Sequence, residues 1–191
     1  MASRPDPRAP TAIRFCSACG ASVEHRIPAD DNRERAVCPA CETVHYQNPK
    51  IVVGCLPVWE DRILICRRAI EPRHGLWTLP AGFMENGESA AEGAAREAVE
   101  EANAKVRITD LYTVYSIPRI SQVYMMFRAQ LLDPAVSPGA ESLEVKLVTE
   151  DQIPWDQLAF SMVKRTLRHF VEDRRSGTFA ARFGDILPPE R

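Results

Sequence analysis

The segment from Gly82 to Ala104 constrains the fold more than any other, because a glycine-containing loop runs directly into a helix rich in alanine and glutamate. Ser89 can cap this helix, and Glu92, three residues later, completes the capping-box pattern. Asn103 can adopt the left-handed conformation that ends a helix. The segment therefore predicts a helix over residues 90–102 that follows directly from a loop.

Three glutamates of this helix, Glu97, Glu100 and Glu101, have a spacing that places their side chains on one face. Like charges at this spacing repel one another by roughly 0.2–0.5 kcal/mol per pair, and the helix dipole opposes them near the C-terminal end. A divalent cation would turn this repulsion into attraction, because clustered carboxylates are the ligands that Mg²⁺ prefers. The alternative is a solvated helix face, which is the usual state of a charge run.

The fixed positions of this segment resemble the signature of the Nudix hydrolases, Gly-x5-Glu-x7-Arg-Glu-aliphatic-x-Glu-Glu-x-Gly-aliphatic. The matching residues are Gly82, Glu88, Arg96, Glu97, Glu100 and Glu101. The chain departs from the signature at Asn103, where the family has Gly, and at Ala98, where the family usually has a larger aliphatic residue. The run over residues 75–82, Gly-Leu-Trp-Thr-Leu-Pro-Ala-Gly, also resembles the family's approach to this signature.

The resemblance implies an α/β fold, a mixed sheet in an α/β/α sandwich, and hydrolysis of a nucleoside diphosphate linked to another group. It implies that Glu97, Glu100 and Glu101 hold catalytic Mg²⁺ or Mn²⁺, with a backbone carbonyl of Ala81 or Gly82 as a further ligand. It also implies that Arg96 and Glu88 form a pair that orients these carboxylates. The metal would neutralise phosphate oxygens and lower the pKa of a bound water.

Four cysteines form two Cys-x2-Cys pairs that are separated by 18 residues: Cys16, Cys19, Cys38 and Cys41. Each pair can wrap around one metal ion, and four thiolates form the closed tetrahedral site of a zinc ribbon. A closed site leaves no position for water, so we expect a structural Zn²⁺. Two disulfides are the alternative, but they are unusual in a cytosolic protein. Cys55 and Cys66 lie in apolar runs and are expected to be buried thiols.

These motifs divide the chain into four parts. We expect a disordered lead-in over residues 1–12, the zinc ribbon over 13–47, the Nudix hydrolase domain over 48–175 and a loose tail over 176–191. The hydrophobic fraction of 45% is enough to form a core, and the net charge of −2 does not favour nucleic acid or anionic membranes. The chain lacks a membrane-spanning run and a secretory signal, so we expect a cytoplasmic protein.

Periodicity predicts the remaining elements. Apolar and β-branched runs predict strands over residues 51–59, 63–66, 106–108, 111–116, 123–131 and 145–148. The run over 123–131 is long and apolar enough to be central. Ser161 is expected to cap a last helix whose apolar stripe packs on the core. Strands around one acidic helix, with a second helix at the end, favour a mixed sheet between helices.

Loop residues supply further candidates for the site. Arg68 and Arg73 could bind substrate phosphate bidentately, or they could simply be solvated. A general base is expected from Glu141 or Glu144, on a loop that should face the acidic helix. We assign Glu144 to catalysis and Glu141 to substrate binding, although both could be exposed loop carboxylates.

The substrate follows from a finer resemblance, since two groups place a zinc ribbon before a Nudix domain. NADH pyrophosphatases and NAD-decapping enzymes carry a Ser-Gln-Pro-Trp-Pro-Phe-Pro motif, whereas this chain has Ser-Ile-Pro-Arg-Ile-Ser-Gln-Val-Tyr-Met over residues 116–125. The runs over residues 46–55 and 138–144 instead resemble the plastid-type enzymes that hydrolyse FAD and ADP-ribose, and their bacterial relatives. The resemblance therefore implies FAD or ADP-ribose, with an NADH or NAD pyrophosphatase as the alternative.

A non-catalytic ligand sensor with the ribbon as a binding module is an alternative of a different class. The complete set of carboxylates around Arg96 argues against it. The ribbon also lacks the dense basic patch with interleaved aromatic residues that nucleic acid would require, so a small nucleotide is the expected partner. Many relatives are dimers, which makes a homodimer an open expectation.

Overall fold

The computed structural model describes residues 12–187, and the chain falls into two compact units, Met1–Pro49 and Lys50–Arg191. All but the last residue of the predicted lead-in lies outside the described residues. Each unit forms its own sheet, with the boundary just after Pro49.

The N-terminal unit contains a small antiparallel sheet. Within residues 12–49 its strands are β1 (Glu24–Arg26), β2 (Arg35–Val37) and β3 (Val44–His45), in that spatial order. Tight turns follow Cys16 and Cys38, since Gly20 donates to the carbonyl of Cys16 and Glu42 to that of Cys38, each at 2.9 Å. The buried apolar side chains are few: Cys16, Ala36, Val37 and Cys38. So small a core needs another source of stability, which a bound metal ion can supply.

The second unit is built on a mixed eight-stranded sheet, counted over residues 50–187. Its strands are β4 (Lys50–Trp59), β5 (Arg62–Arg68), β6 (Trp77–Thr78), β7 (Ala81–Phe83), β8 (Val106–Ile117), β9 (Gln122–Leu131), β10 (Ser142–Val148) and β11 (Arg182–Asp185). The order is β10-β5-β4-β9-β8-β11, with β6 paired to β5 and β7 to β4. The β4–β9 and β8–β11 pairs are parallel and the others are antiparallel.

Two helices, α1 (Ala90–Ala102) and α2 (Ser161–Ser176), cover the two faces of this sheet, and short 3-10 turns occupy Pro118–Ile120 and Glu150–Gln152. Because side chains alternate along a strand, Val53 and Cys55 pack with α1, whereas Leu56 packs with α2. Ala98, which lies on α1, is fully buried. The predicted α/β/α sandwich with a mixed sheet is confirmed, and β9 is central as expected.

Local predictions were wrong at two places. The two short runs expected over residues 106–116 form one strand, β8, which stays paired with β9 across two register shifts. Ser161 is the first helical residue rather than the cap; Phe160 holds the cap position without a side-chain hydrogen bond. In both cases tertiary pairing outweighs the local preference on which the prediction rested.

The predicted loose tail is wrong for residues 182–185, which form β11 beside β8. Arg182 forms an ion pair with the buried Asp173 of α2, and Tyr112 donates a 2.7 Å hydrogen bond to the same carboxylate. The ring of Phe179 packs against that of Phe170, with the two ring centroids 5.6 Å apart. The pairing with β8 and the hydrogen bond from Tyr112 join residues distant in sequence, so composition alone could not indicate them.

Candidate active site and metal centre

Helix α1 begins and ends as its sequence predicts. Ser89 accepts from the backbone of Glu92 at 3.3 Å, and the Glu92 carboxylate accepts from the backbone of Ser89 at 2.8 Å. Asn103 has a φ of 47° and ends the helix in the left-handed conformation. The helix bounds, the capping box and the role of Asn103 are therefore confirmed.

Glycines allow the loop and the helix to approach each other closely. A Cβ at Gly82, on β7, would lie 2.3–2.5 Å from the carboxylate of Glu97. A Cβ at Gly93 would lie 2.6 Å from an oxygen of Glu88. A larger side chain at either position would therefore displace an acidic group, which links Gly82 physically to the acidic helix.

Arg96 is the centre of the acidic cluster. Its Nε and Nη2 donate to the two oxygens of Glu88 at 3.0 and 2.8 Å, a bidentate pair. Its Nη1 donates to Glu97 at 2.7 Å and to Glu100 at 2.8 Å, and Nη2 also donates to the carbonyl of Phe83. The guanidinium of Arg96 thus holds three carboxylates and the end of β7. The hydrogen bond from Arg96 lowers the pKa of Glu88 to about 2, and the backbone N–H of Glu85 adds to the effect.

Burial separates the three glutamates of the helix. Glu97 and Glu101 are 7% and 5% exposed, whereas Glu100 is exposed. Burial raises the pKa of Glu101 to about 8, although the backbone N–H of Ala81 donates to its carboxylate at 3.3 Å. Burial also raises the pKa of Glu97, against the influence of Arg96. A solvated helix face therefore describes Glu100 alone among the three.

Two buried carboxylates beside a third are a donor set that suits a hard divalent cation, and the missing side chain at Gly82 leaves room for the carboxylate of Glu97. Their oxygens do not converge within 4.8 Å of one another as a trio in the described residues. Arg96 Nη1 instead holds Glu97 and Glu100 through its own positive charge. A metal ion at these glutamates would compete with that guanidinium nitrogen for the same oxygens.

The loop before β10 closes over the C-terminal end of α1. Gly139 donates to the carbonyl of Glu101 at 3.0 Å and Ser137 to that of Ala102 at 3.1 Å, which satisfies free helix carbonyls. The side-chain amide of Asn103 donates to the carbonyls of Ser137 and Pro138 at 3.1 and 3.3 Å. Asn103 thus holds this loop as well as ending the helix, a contact that a Gly would lack.

This docking brings Glu141 to the site but not Glu144. The charge of Glu141 contributes to the raised pKa values of Glu97 and Glu101. Glu144 lies on β10, where its carboxylate pairs with Lys146 at 2.8 Å and Arg67 at 3.8 Å. Of the two candidate bases, Glu141 is the one near the acidic cluster.

The two candidate arginines lie in different surroundings. Arg68 ends β5, and its positive charge lowers the pKa of Glu101, against the larger effect of burial. Its Nε donates to the carbonyl of Pro72 at 2.9 Å, and its guanidinium carbon lies 5.2 Å from the ring centroid of Phe160. Arg73 is exposed in the following loop with a φ of 71°. Sequence reasoning missed Phe160, which carries no motif and reaches Arg68 only through the fold.

The four ribbon cysteines form a compact sulfur site. All four Sγ atoms lie within 4.8 Å of one another, and no other described group of three or more potential ligands does so. Sγ atoms of Cys16 and Cys41 are 3.6 Å apart and those of Cys19 and Cys38 are 3.5 Å apart. A tetrahedron with Zn–S bonds of about 2.3 Å has edges of about 3.8 Å, so the geometry fits zinc.

The remaining cysteines agree with their predicted roles. None of the six cysteines, all of which lie in the described residues, forms a disulfide. Cys55 and Cys66 are fully buried, as expected.

The described residues contain no helix that is long and apolar enough to cross a membrane.

Comparisons with known proteins agree with both parts of the chain. The family model described as Nudix N-terminal matches residues 14–47, and that described as NUDIX domain matches residues 48–171. The crystal structure of a NUDIX hydrolase from Nitrosomonas europaea is 55% identical and has a TM-score of 0.88, covering 91% of this chain and 99% of that one.

Two curated relatives have named activities. The NAD-capped RNA hydrolase NudC of Photobacterium profundum is 32% identical over 133 residues, 68% of this chain and 47% of that protein. The ADP-ribose pyrophosphatase of Methanocaldococcus jannaschii is 28% identical over 123 residues, 62% of this chain and 72% of that protein. The chain spans 46–62% of the length of the first four NudC relatives.

Proposed function

The chain belongs to the Nudix hydrolase family, and on that premise we propose that it hydrolyses the pyrophosphate bond of ADP-ribose or of a related nucleoside diphosphate-linked compound. The observation that carries the proposal is the pair of buried carboxylates, Glu97 and Glu101, packed against the loop at Gly82. Burying acidic groups destabilises a protein, and such perturbed groups are concentrated at functional sites. The same arrangement argues against a purely structural helix.

The proposed roles follow from position. Glu97, Glu100 and Glu101 would hold Mg²⁺ or Mn²⁺, which would supply charge neutralisation at the phosphates and an activated water. Arg96 keeps Glu88, Glu97 and Glu100 in place through four hydrogen bonds, and a fifth goes to the carbonyl of Phe83. Arg68, held by Pro72, can direct its remaining N–H groups to a phosphate oxygen.

Glu141 is the favoured proton acceptor for the attacking water, because it is the loop carboxylate near Glu97 and Glu101. The earlier assignment of catalysis to Glu144 is less favoured, since that carboxylate is engaged by Lys146 and Arg67. Activity retained in Glu144→Gln and lost in Glu141→Gln would support this order. The opposite result would favour Glu144 as the proton acceptor.

ADP-ribose is the first candidate substrate because a relative is named for it and because the finer sequence resemblance includes it. NAD, NADH and NAD-capped RNA form the second candidate group, which the NudC relatives favour. The expectation that nucleic acid is not a partner therefore needs a direct test. FAD is supported by the sequence resemblance alone.

We also propose that Cys16, Cys19, Cys38 and Cys41 bind one structural Zn²⁺. The sulfur distances and the match to the Nudix N-terminal model support it. Hydrogen bonds from the hydroxyl and backbone N–H of Thr43 lower the pKa of Cys41, whereas, against a backbone hydrogen bond from Ala21, the neighbouring thiols raise the pKa of Cys19. The pKa directions therefore differ within the cluster, and the proposal depends on the sulfur geometry.

The test is a substrate panel with purified protein and Mg²⁺, comparing kcat/KM for ADP-ribose, FAD, NADH and NAD-capped RNA. We expect ADP-ribose to exceed NADH, and the Glu101→Gln variant to lose about a hundredfold or more, about 2.7 kcal/mol. A tenfold preference for NADH or NAD-capped RNA would move the protein to the second group. Near-normal turnover of Glu101→Gln and Glu97→Gln at saturating Mg²⁺ would refute the catalytic role of α1.

A further inference from the structure

A cavity of about 600 Å³ lies in the second unit, away from the acidic helix. Its lining includes Val58 of β4 and Phe170 of α2. Val58 is four residues along β4 from Gly54, which pairs with β7 beside the acidic cluster, so the two places are roughly 13 Å apart along the strand. Val58 and Phe170 also belong to the core on the α2 side, whereas α1 covers the other face. Trp59, Ala129 and Leu131 of the lining belong to the core on the α1 side, so the cavity lies at this end of the sheet, and its distance along β4 separates it from the proposed active site.

The walls of the cavity combine apolar and cationic groups with one acidic residue, Glu60, whose carboxylate lies 3.7 Å from the guanidinium of Arg62. Val58, Phe170 and Phe179 supply apolar surface, and the guanidinium groups of Arg128 and Arg174 lie beside the two rings. The guanidinium carbon of Arg128 is 3.9 Å from the centroid of Phe179, and that of Arg174 is 5.6 Å from the centroid of Phe170. Its volume lies within the roughly 300–1,000 Å³ range of small-molecule sites.

The two guanidinium groups differ in their partners. Arg128 forms a bidentate pair with Asp110 at 2.8 and 2.9 Å, so a carboxylate already matches its charge. Arg174 donates one hydrogen bond, at 3.3 Å, to the carbonyl of Glu60, and among the described residues it pairs with no carboxylate. A guanidinium carries five N–H donors, so Arg174 retains the capacity to bind an oxyanion bidentately.

We propose that this cavity binds a small organic anion with an aromatic body, whose ring packs against Val58, Phe170 and Phe179 and whose anionic group pairs with Arg174. A bare inorganic anion would leave the apolar walls without a partner, and a neutral ring would leave Arg174 without a counter-ion. Phosphate, carboxylate and sulfonate share the chemistry that Arg174 requires. The site lies outside the proposed catalytic residues and does not depend on them.

The experiment is a fluorescence titration of the zinc-containing protein with 8-anilinonaphthalene-1-sulfonate, an aromatic sulfonate. Two matched probes separate the requirements: N-phenyl-1-naphthylamine, which has the aromatic body without the anion, and inorganic sulfate, which has the anion without the body. We expect one bound sulfonate per chain, at least tenfold tighter than the neutral amine, with sulfate displacing it only weakly. Equal affinity for the neutral amine would overturn the proposal.

Arg174→Gln should weaken binding of the aromatic sulfonate by about tenfold or more, because the buried oxyanion loses its partner. The matched control is Arg175→Gln, since the neighbouring Arg175 is exposed and pairs with Glu150. That control should bind the sulfonate within about twofold of the wild type, and Arg174→Gln should hydrolyse ADP-ribose normally. Unchanged sulfonate binding in Arg174→Gln, or loss of hydrolysis in it, would contradict a separate site at Arg174.

Competition distinguishes the natural sources of such an anion. AMP carries an aromatic base and a phosphate, and 2-naphthoate carries an aromatic body and a carboxylate. Displacement of the sulfonate by AMP from the Glu101→Gln variant would assign a nucleotide, and displacement by 2-naphthoate would assign an aromatic carboxylate. Failure of both at millimolar concentration would contradict a shared site for aromatic anions.

Discussion

Replacing Glu101 by Gln should raise the free energy of unfolding of the Mg²⁺-free protein by about 3 kcal/mol at pH 7 but by less than about 1 kcal/mol at pH 5. Glu101 is 5% exposed, and burial raises its pKa to about 8 in the folded chain from 4.5. At pH 7 the folded state must therefore hold a proton that the unfolded state has released. Between pH 4.5 and pH 8 the folded state binds more protons at Glu101 than the unfolded state does, so the free energy of unfolding falls as pH rises. Gln does not titrate, so the Glu101→Gln variant lacks this dependence.

The magnitude follows from the two pKa values. Each unit by which pH exceeds the unfolded pKa but stays below the folded value costs about 1.4 kcal/mol, which gives about 3 kcal/mol at pH 7 and about 0.8 kcal/mol at pH 5. Placing an amide beside Glu97 and Ala81 has its own cost, and Glu97 is itself a buried carboxylate whose pKa burial raises. The difference between the two pH values therefore reports the titration of Glu101 together with its effect on Glu97.

The assay is urea unfolding at pH 5 and pH 7, followed by tryptophan fluorescence. All three tryptophans lie in the second unit, at Trp59, Trp77 and Trp155, so the signal reports that unit rather than the ribbon. Mg²⁺ is omitted without a chelator, because a chelator would also remove zinc from the cysteines. Glu100→Gln is the matched control, since this residue shares the helix but is exposed.

Glu100→Gln should change the free energy of unfolding by less than about 0.5 kcal/mol at both pH values. If the gain in Glu101→Gln is the same at pH 5 as at pH 7, burial does not raise the pKa of Glu101 in the folded protein. If the gain stays at a few tenths of a kcal/mol, helix-face repulsion alone accounts for the destabilisation.

Three further predictions test other contacts. Gly82→Ala should lower kcat/KM at least tenfold, because its Cβ would lie 2.3–2.5 Å from the carboxylate of Glu97; unchanged kinetics in a steady-state assay would contradict this packing. Asn103→Gly should keep α1 intact by circular dichroism but speed hydrogen exchange of the Gly139 N–H, which now binds the end of α1; exchange at the wild-type rate would show that the Asn103 amide does not hold the loop. Cys16→Ser should remove most of the roughly one equivalent of zinc found by metal analysis, while a wild-type protein without zinc would refute the four-sulfur site.

The sequence alone determined the features that depend on neighbours along the chain. The start and end of α1 depend on Ser89, Glu92 and Asn103, which act within one helical turn of the positions they fix. The strands β4 and β9 were also predictable from the sequence, because a long run of apolar residues is a property of neighbouring positions in the chain. The spacing of the ribbon cysteines predicted their convergence for a similar reason, since each Cys-x2-Cys pair is a local turn.

The tertiary structure decided what depends on contacts between distant segments. Helical spacing places Glu97, Glu100 and Glu101 on one face, yet packing against β7 buries Glu101 and leaves Glu100 exposed. Which of the carboxylates at 141 and 144 lies near Glu101 depended on how the preceding loop binds the end of α1.

The same reason explains the strand at residues 182–185, which exists because Arg182 reaches Asp173 and the backbone reaches β8. It also explains Phe160 beside Arg68 and the guanidinium of Arg174 near Phe170. Burial and pairing are sums over neighbours brought together by folding, and a linear sequence does not state which neighbours those are.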